Sequence, residues 1–281
     1  MIIDVQREGC AAFRTNADQQ RIRVALYKKA LELDPGDATN TGNYALFLAD
    51  QRKDYDAAEA LYKKALELDP SHANNTGNYA AFLAHQRNDY DAAEALYKKA
   101  LALDPSDANH TGNYAHFLAA RRKDYDAAEA LHKKALALQP NSPGQLANFA
   151  SLKLSKGDPG YLEQVHSLVR QVITLCRPDA SQTLAEALLY GALAHELAAA
   201  EPDDGMLARL KALLALGFER GSWDFEPLFS VVLPRLPSVR QTFYRALGSA
   251  VLDGSKVASL AAFGEWLLLE SKDPFAPFDA P

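Results

Sequence analysis

Histidine and cysteine are the residue types whose spacing would reveal chemistry most readily, and neither forms a catalytic or metal-binding pattern here. The seven histidines include no His-x-x-x-His pair, and His195-Glu196 lacks the second histidine that a zinc protease helix needs. Cys10 and Cys176 are far apart and have no metal-ligand spacing. No phosphate-binding or dinucleotide-binding glycine loop is present. We therefore expect no catalytic residue, no metal site, no cofactor and no enzymatic activity.

A recurring amide points to binding instead. Asparagine returns every 35 residues at four positions, which are Asn43, Asn78, Asn113 and Asn148. A side-chain amide offers both a donor and an acceptor, so a ladder of amides suits the backbone of an extended or helical peptide whatever its side chains. The alternative interpretation is that asparagine is a tolerated polar residue that helps neighbouring repeats to pack.

Three further offsets differ between otherwise similar repeats and share a helical face with these asparagines. The three sets are Thr39, Asn74 and Asn109, then Leu46, Ala81 and His116, then Asp50, His85 and Ala120. Spacings of about seven and four residues bring such offsets onto one side of an α-helix. Divergence at these offsets predicts a ligand-contact surface, with neutral drift of exposed positions as the alternative.

The residues of this surface belong to a 35-residue repeat. Residues 36–70 match 71–105 at 28 of 35 positions, and 71–105 match 106–140 at 27 of 35. Apolar spacing predicts a first helix over about 41–51 and a second over about 55–66, with Asp54 or Asp56 as the N-cap of the second. A two-helix unit cannot bury its apolar stripe alone, so neighbouring units must stack.

This pattern resembles the tetratricopeptide repeat. Ala58, Ala65 and Pro70 occupy the family's small-residue and proline positions, and later repeats keep them. Two departures are an extra residue between the helices and a threonine, such as Thr41, where the family usually has a large aromatic residue. The resemblance covers residues 36–140 and implies an all-α, right-handed helical-repeat solenoid. It further implies that the first helices line a concave groove, where asparagines often reach the ligand backbone.

The flanking segments predict weaker copies of the unit and a different C-terminal part. We expect a degenerate repeat over 1–35, with its first helix near 7–13, and full repeats over 36–70, 71–105 and 106–140. A degenerate unit over 141–178 precedes a helical C-terminal capping domain over 179–270 and a tail over 271–281. The expected C-terminal helices cover about 181–200, 205–219, 237–252 and 255–270.

Charge and composition limit the class of partner. The formal net charge is −6, and neither half is basic, with 18 basic against 20 acidic residues in 1–140 and 12 against 16 in 141–281. A nucleic-acid partner needs a basic footprint, so we expect none. The sequence shows no signal-peptide pattern and no apolar run long enough to cross a bilayer. We expect no membrane partner and a cytoplasmic location, which suits two widely spaced cysteines.

These observations predict a protein–protein interaction adaptor that binds a peptide or protein segment in the concave groove of the repeat array. Two alternatives stay open. One is a dedicated immunity or chaperone-like subunit that binds one partner through its C-terminal half. The other is a self-associating scaffold, so a homo-oligomer is left open. The close similarity of the repeats resembles bacterial examples with this spacing, and we expect a bacterial source.

Overall fold

The computed structural model describes residues 16–157, 160–176, 181–198, 204–217 and 224–274. Within these ranges every regular element is helical. The expected helix near 7–13 and residues 275–281 of the expected tail lie outside the described residues. The chain divides into two compact units, Met1–Pro105 and Ser106–Pro281.

The first unit consists of helical hairpins that follow the repeat. Its helices are α1 (Asn16–Leu33), α2 (Ala38–Phe47), α3 (Tyr55–Leu68), α4 (Ala73–Phe82) and α5 (Tyr90–Leu103). The pairs α2/α3 and α4/α5 form the hairpins of two repeats, and α4 also packs against both α2 and α3. Contact between successive hairpins buries the apolar stripe that one repeat leaves exposed.

The second unit begins with the same hairpins and continues into helices without a repeat. Its helices are α6 (Ala108–Phe117), α7 (Tyr125–Leu138), α8 (Pro143–Lys156), α9 (Tyr161–Leu175), α10 (Ser181–Leu197), α11 (Asp204–Leu216), α12 (Glu226–Val232), α13 (Ser238–Leu252) and α14 (Gly264–Leu268). Helix α10 packs on α8, α9, α11 and α13, so it is the centre of this unit. The helix expected over 255–270 is instead a 3₁₀ segment, Gly254–Ala262, followed by the short α14.

The extra residue of each repeat is absorbed by a π-helical turn at the end of the first helix. These turns span Leu48–Arg52, Leu83–Arg87 and Leu118–Arg122. Each turn ends in a non-glycine residue with a left-handed backbone, and φ is 55° at Lys53, 55° at Asn88 and 59° at Lys123. A single π turn accommodates one additional residue without breaking the helix, so the helical hairpin is retained despite the insertion.

Aspartate side chains fix the start of the second helices. Asp54 accepts a hydrogen bond from the backbone N–H of Ala57, and Asp89 and Asp124 do the same in the next repeats. Of the two N-caps left open by the sequence, Asp54 is therefore the one used. Asp56 instead pairs with Arg87 of the following repeat.

Aromatic side chains join one repeat to the next. Tyr62 of α3 is buried and stacks on Tyr79 of α4 at a centroid distance of 5.4 Å, and it lies 5.5 Å from Phe82. In the second unit His132 takes the tyrosine position and stacks on Phe149 at 5.7 Å. Within each unit, stacked rings thus join one repeat to the next, and in the second unit one of these rings is a titratable imidazole.

Candidate binding face of the first helices

The residues predicted to contact a ligand lie on the less buried side of the first helices. We call this surface the first-helix face, defined by Thr39, Asn43, Leu46, Asp50 and their equivalents in later repeats. The buried positions of α2 that alternate with it are Thr41, Gly42, Tyr44, Ala45 and Phe47. The exposed members among the predicted site residues are Asn43, Leu46, Asp50, Asn74, His85, Asn109 and Asn113. The half-buried members are Asn78, His116 and Asn148.

The amides of the asparagine ladder make no hydrogen bond to a neighbouring repeat within the described residues. Within the described part of the chain, the side chains of Asn43, Asn78, Asn113 and Asn148 have no recorded hydrogen-bond partner. A different asparagine, Asn75, is 2% exposed and donates through Nδ2 to the backbone oxygen of Ala38 at 2.8 Å. Gln145 does the same toward Ala108 at 3.1 Å in the second unit. The donor–acceptor capacity of Asn43, Asn78 and Asn113 therefore stays available on the surface.

The repeat pattern does not by itself identify this inter-repeat amide, although the sequence contains a signal for it. A Cβ atom on Gly42 would lie 2.0 Å from Oδ1 of Asn75, and one on Gly112 would lie 2.0 Å from Oε1 of Gln145. Only glycine allows the neighbouring first helix to approach this closely. The glycine that precedes each ladder asparagine of the three full repeats was the available clue.

Ion pairs border the first-helix face and link successive repeats. Arg87 pairs with Asp56 and with Glu59, whose Oε2 lies 2.7 Å from the arginine Nε. The hydrogen bond from Lys63, followed by that from Arg87, lowers the pKa of Glu59. In the second unit Lys153 and Lys156 contact Glu129 at 2.8 and 3.0 Å. These cations serve contacts between repeats.

The side chain of Asp50 is exposed to solvent but is also partly desolvated by the surrounding protein. Its side chain reaches solvent, yet the surrounding protein removes enough water to raise its pKa. Burial, together with the charge of Asp50, raises the pKa of the Tyr62 hydroxyl beneath it. The face therefore carries a negative charge that is less well hydrated than a fully exposed carboxylate.

A small cavity with a mixed polar and apolar lining lies on the first-helix face of the second unit. It has a volume of about 20 Å³, enough for one water molecule. Its wall includes His116, Ala120, His132, Asn148 and Ser151. Ala120 and His132 are smaller than their equivalents in the first full repeat, which are Asp50 and Tyr62. The cavity therefore results from two smaller side chains, Ala120 and His132, that occur in the same repeat.

Helix α12 closes this cavity from the other side. Pro227 and Leu228 line the cavity, α12 packs on α8, and Asp224 pairs with Arg121 at 3.3 Å. The opposite side of α12 enters the C-terminal core, where a Cβ atom on Gly248 would lie 2.7 Å from the ring of Phe229. The C-terminal helices thus cover the part of the face that contains Asn148.

His132 is the most perturbed group of the cavity. It is 1% exposed, and burial lowers its pKa to about 4. Neither ring nitrogen has a hydrogen-bond partner within the described residues. A neutral imidazole with two unsatisfied nitrogens is costly to bury, so the repeat loses stability here relative to a fully satisfied side chain.

Comparisons with known proteins agree with this architecture. A family model described as the tetratricopeptide repeat matches residues 49–110. Three solved structures share the fold at 17–23% identity. PilW, a widely conserved type IV pilus biogenesis factor, has a TM-score of 0.56 and 23% identity, over 75% of this chain and 90% of its own. PilF of Pseudomonas aeruginosa has a TM-score of 0.50 and 21% identity, over 84% and 94%.

The third structure is yeast Tom70, with a TM-score of 0.52 and 17% identity, over 86% of this chain and 47% of its own. None of the curated proteins is detectably similar in sequence. Residues 49–110 are thus similar to the tetratricopeptide repeat family, and the all-α helical-repeat fold expected from the sequence is confirmed. Proteins of this family are typically adaptors rather than enzymes.

Two features of the described residues concern membranes and metal ions. None of the described helices combines the length and apolar character that crossing a membrane requires. The same residues contain no group of three or more histidine, cysteine or carboxylate side chains arranged to hold a metal ion.

Proposed function

We propose that this protein is an adaptor and that the first-helix face of residues 36–105 binds a segment of another protein. The observation that carries the proposal is the pair of amides at Asn43 and Asn78, which have no recorded hydrogen-bond partner and lie beside the offsets that differ between repeats. Such amides can bond a peptide backbone, and the divergent neighbours can select its side chains. The proposal is centred on this region because α12 covers the Asn148 part of the face.

The test begins with a peptide selected on the intact protein. A phage-displayed random peptide library is panned on the immobilised full chain, and a selected peptide is measured by fluorescence anisotropy. Replacing Asn43 or Asn78 with alanine should weaken binding by about 1–3 kcal/mol, roughly five- to a hundredfold, because the ligand then buries an unpaired backbone group. The melting temperature should change little, because these amides contact water in the free protein.

Two further variants distinguish binding from packing. Lys64→Ala removes an exposed side chain of α3 that all three full repeats keep, and it should leave the affinity unchanged. Asn75→Ala breaks the bond to Ala38 and should lower stability while the folded protein still binds. If Asn78→Ala instead lowers stability and leaves the affinity of the folded fraction intact, the asparagine ladder is a packing device and the proposal fails.

A further inference from the structure

Asp50 is a carboxylate of the first-helix face that the fold does not require. The π turn that contains it forms in the same way around His85 and Ala120, which occupy the equivalent positions. The side chain of Asp50 is exposed, and it forms no hydrogen bond or ion pair with any described residue. An exposed acceptor that two other repeats omit is available for contact with another molecule.

Neighbouring carboxylates of the same repeat are engaged within the protein. Asp37 and Asp54 each accept a hydrogen bond from a backbone N–H group at the start of a helix. Glu59 pairs with Arg87 of the following repeat. Asp50 therefore differs from these carboxylates, which cap helices or join repeats.

The corresponding place in the repeat over 106–140 shows which side chains surround this position. Three residues that line the cavity closed by α12 are Ala120, His132 and Asn148. Seventy residues earlier, the equivalent positions hold Asp50, Tyr62 and Asn78. The same ring stacking joins one repeat to the next at both places, with centroid distances of 5.4 and 5.7 Å. This equivalence puts Asp50 and the ladder amide of Asn78 at one site on the first-helix face.

The charge of this site is not neutralised by an ion pair within the described residues. Lys53 is the cation whose charge acts on Asp50, and no ion pair joins the two. The Tyr62 hydroxyl is 1% exposed and has no hydrogen-bond partner in the described part of the chain. Partial desolvation of the carboxylate strengthens its attraction for a cation. Leu46, which is 37% exposed and precedes Asp50 by one helical turn, adds an apolar contact beside the charge.

We propose that the segment bound by the first-helix face is basic and that one of its lysine or arginine side chains pairs with Asp50. This inference rests on the proposed function, because it names the chemistry of the partner that the face would bind. The ammonium or guanidinium group donates to the carboxylate, and its methylene stem covers Leu46. Asn78 bonds the backbone of the same segment. An acidic segment would be repelled at this position.

Parallel peptide selection on two proteins tests the proposal. The random peptide library is panned on the immobilised full chain as the wild type and as Asp50→Asn, and the selected peptides are sequenced. Lysine and arginine should be enriched on the wild type and not on the variant. In fluorescence anisotropy, a basic peptide selected on the wild type should bind Asp50→Asn about five- to thirtyfold more weakly. Alanine in place of the basic residue of the peptide should remove this difference between the two proteins.

Glu67→Gln is the matched control. Glu67 is an exposed carboxylate of α3, outside the first-helix face, and its substitution changes the net charge by the same amount. The peptide should bind this variant as tightly as the wild type. Asp50→Asn should melt like the wild type, because no described residue depends on its carboxylate for a hydrogen bond or an ion pair.

Three results would overturn the proposal. Equal weakening by Asp50→Asn and Glu67→Gln would mean that net charge, and not this site, controls the affinity. Peptides that need Asn78 but bind Asp50→Asn as tightly as the wild type would leave the proposed function in place and refute the basic partner. Peptides that depend on neither Asn78 nor Asp50 would refute the proposed function and this inference together.

Discussion

At the scale of single residues, His132 makes stability depend on pH. Burial holds its folded pKa at about 4, below the ordinary value of 6.5, so unfolding takes up a proton between these two values. The free energy of unfolding is therefore unaffected by the titration of His132 above about pH 6.5, and it decreases as the pH falls from there toward 4. We expect the free energy of unfolding to drop by about 2 kcal/mol between pH 7 and pH 5 from this group alone.

The measurement is urea denaturation at both pH values for the wild type and for His132→Tyr. Tyrosine occupies this position in the two preceding repeats and carries no group that titrates in this range, so the variant should lose about 2 kcal/mol less between pH 7 and pH 5. Comparison with the variant is needed because burial raises the pKa of Glu186 to about 7, which favours the folded state in acid. Identical pH dependence of the two proteins would show that water reaches His132.

The sequence predicts the position of the asparagine ladder on its helices but not the packing role of Asn75. Periodicity placed Asn43 and Asn78 on the less buried side of their helices, because burial on a helix follows its spacing. It did not assign the packing amide to Asn75, because that role depends on how closely two helices approach at Gly42. The binding role of the asparagine ladder stays a prediction.

At the scale of elements, the π turn carries a conformational cost that differs between repeats. Lys53 and Asn88 end equivalent turns with the same φ of 55°. A left-handed backbone disfavours lysine, whereas asparagine tolerates it because its short polar side chain bonds locally. We expect Lys53→Asn to raise the free energy of unfolding by about 0.5 kcal/mol and Asn88→Lys to lower it by at least as much.

Urea denaturation of the two single variants and of the wild type checks these opposite signs. Asn88→Lys should cost slightly more than the reverse change gains, because Oδ1 of Asn88 also accepts a hydrogen bond from the Tyr90 hydroxyl at 3.1 Å. Two neutral results would mean that the turn relaxes to another backbone conformation, and that the π geometry is not required by the inserted residue.

The helices can be predicted from the sequence where apolar spacing and capping residues determine them. Apolar spacing located the repeat helices, and Asp54 was one of two caps that the sequence offered. The π turn was not foreseen, because the sequence shows an extra residue without showing how the helix absorbs it. The sequence predicts one helix over 255–270, but this segment forms a 3₁₀ segment and the short α14, with Phe263 between them.

At the scale of the whole molecule, the repeat predicted the fold class because each hairpin meets nearly the same neighbour. Contacts of the non-repeating part follow no such rule. The sequence did not predict that α12 lies on α8 and closes the cavity beside His132. That arrangement depends on the fit of Phe229 against Gly248, between segments that no periodicity relates.

The same contacts argue that the C-terminal helices support the repeats. Leu184, Leu188, Leu189 and Leu193 of α10 are fully buried, and α10 packs on both α8 and α9. A chain that ends at Pro178 would expose those faces of α8 and α9 to water. Because each buried leucine contributes about 2 kcal/mol, we expect the melting temperature of this shortened chain to fall by roughly 10 °C or more.

Calorimetry and light scattering of the full and shortened chains measure this effect. The shortened chain should also associate, because the uncovered sides of α8 and α9 form a contiguous apolar patch. Leu188→Ala in the full chain is the matched point variant, and it should cost about 2–5 kcal/mol through the same interface without removing any helix. A shortened chain that melts at the wild-type temperature and stays monomeric would show that the repeats are stable alone. In that case the cover that α12 places over Asn148 would add nothing to the stability of the repeats, and its role would have to be sought in binding.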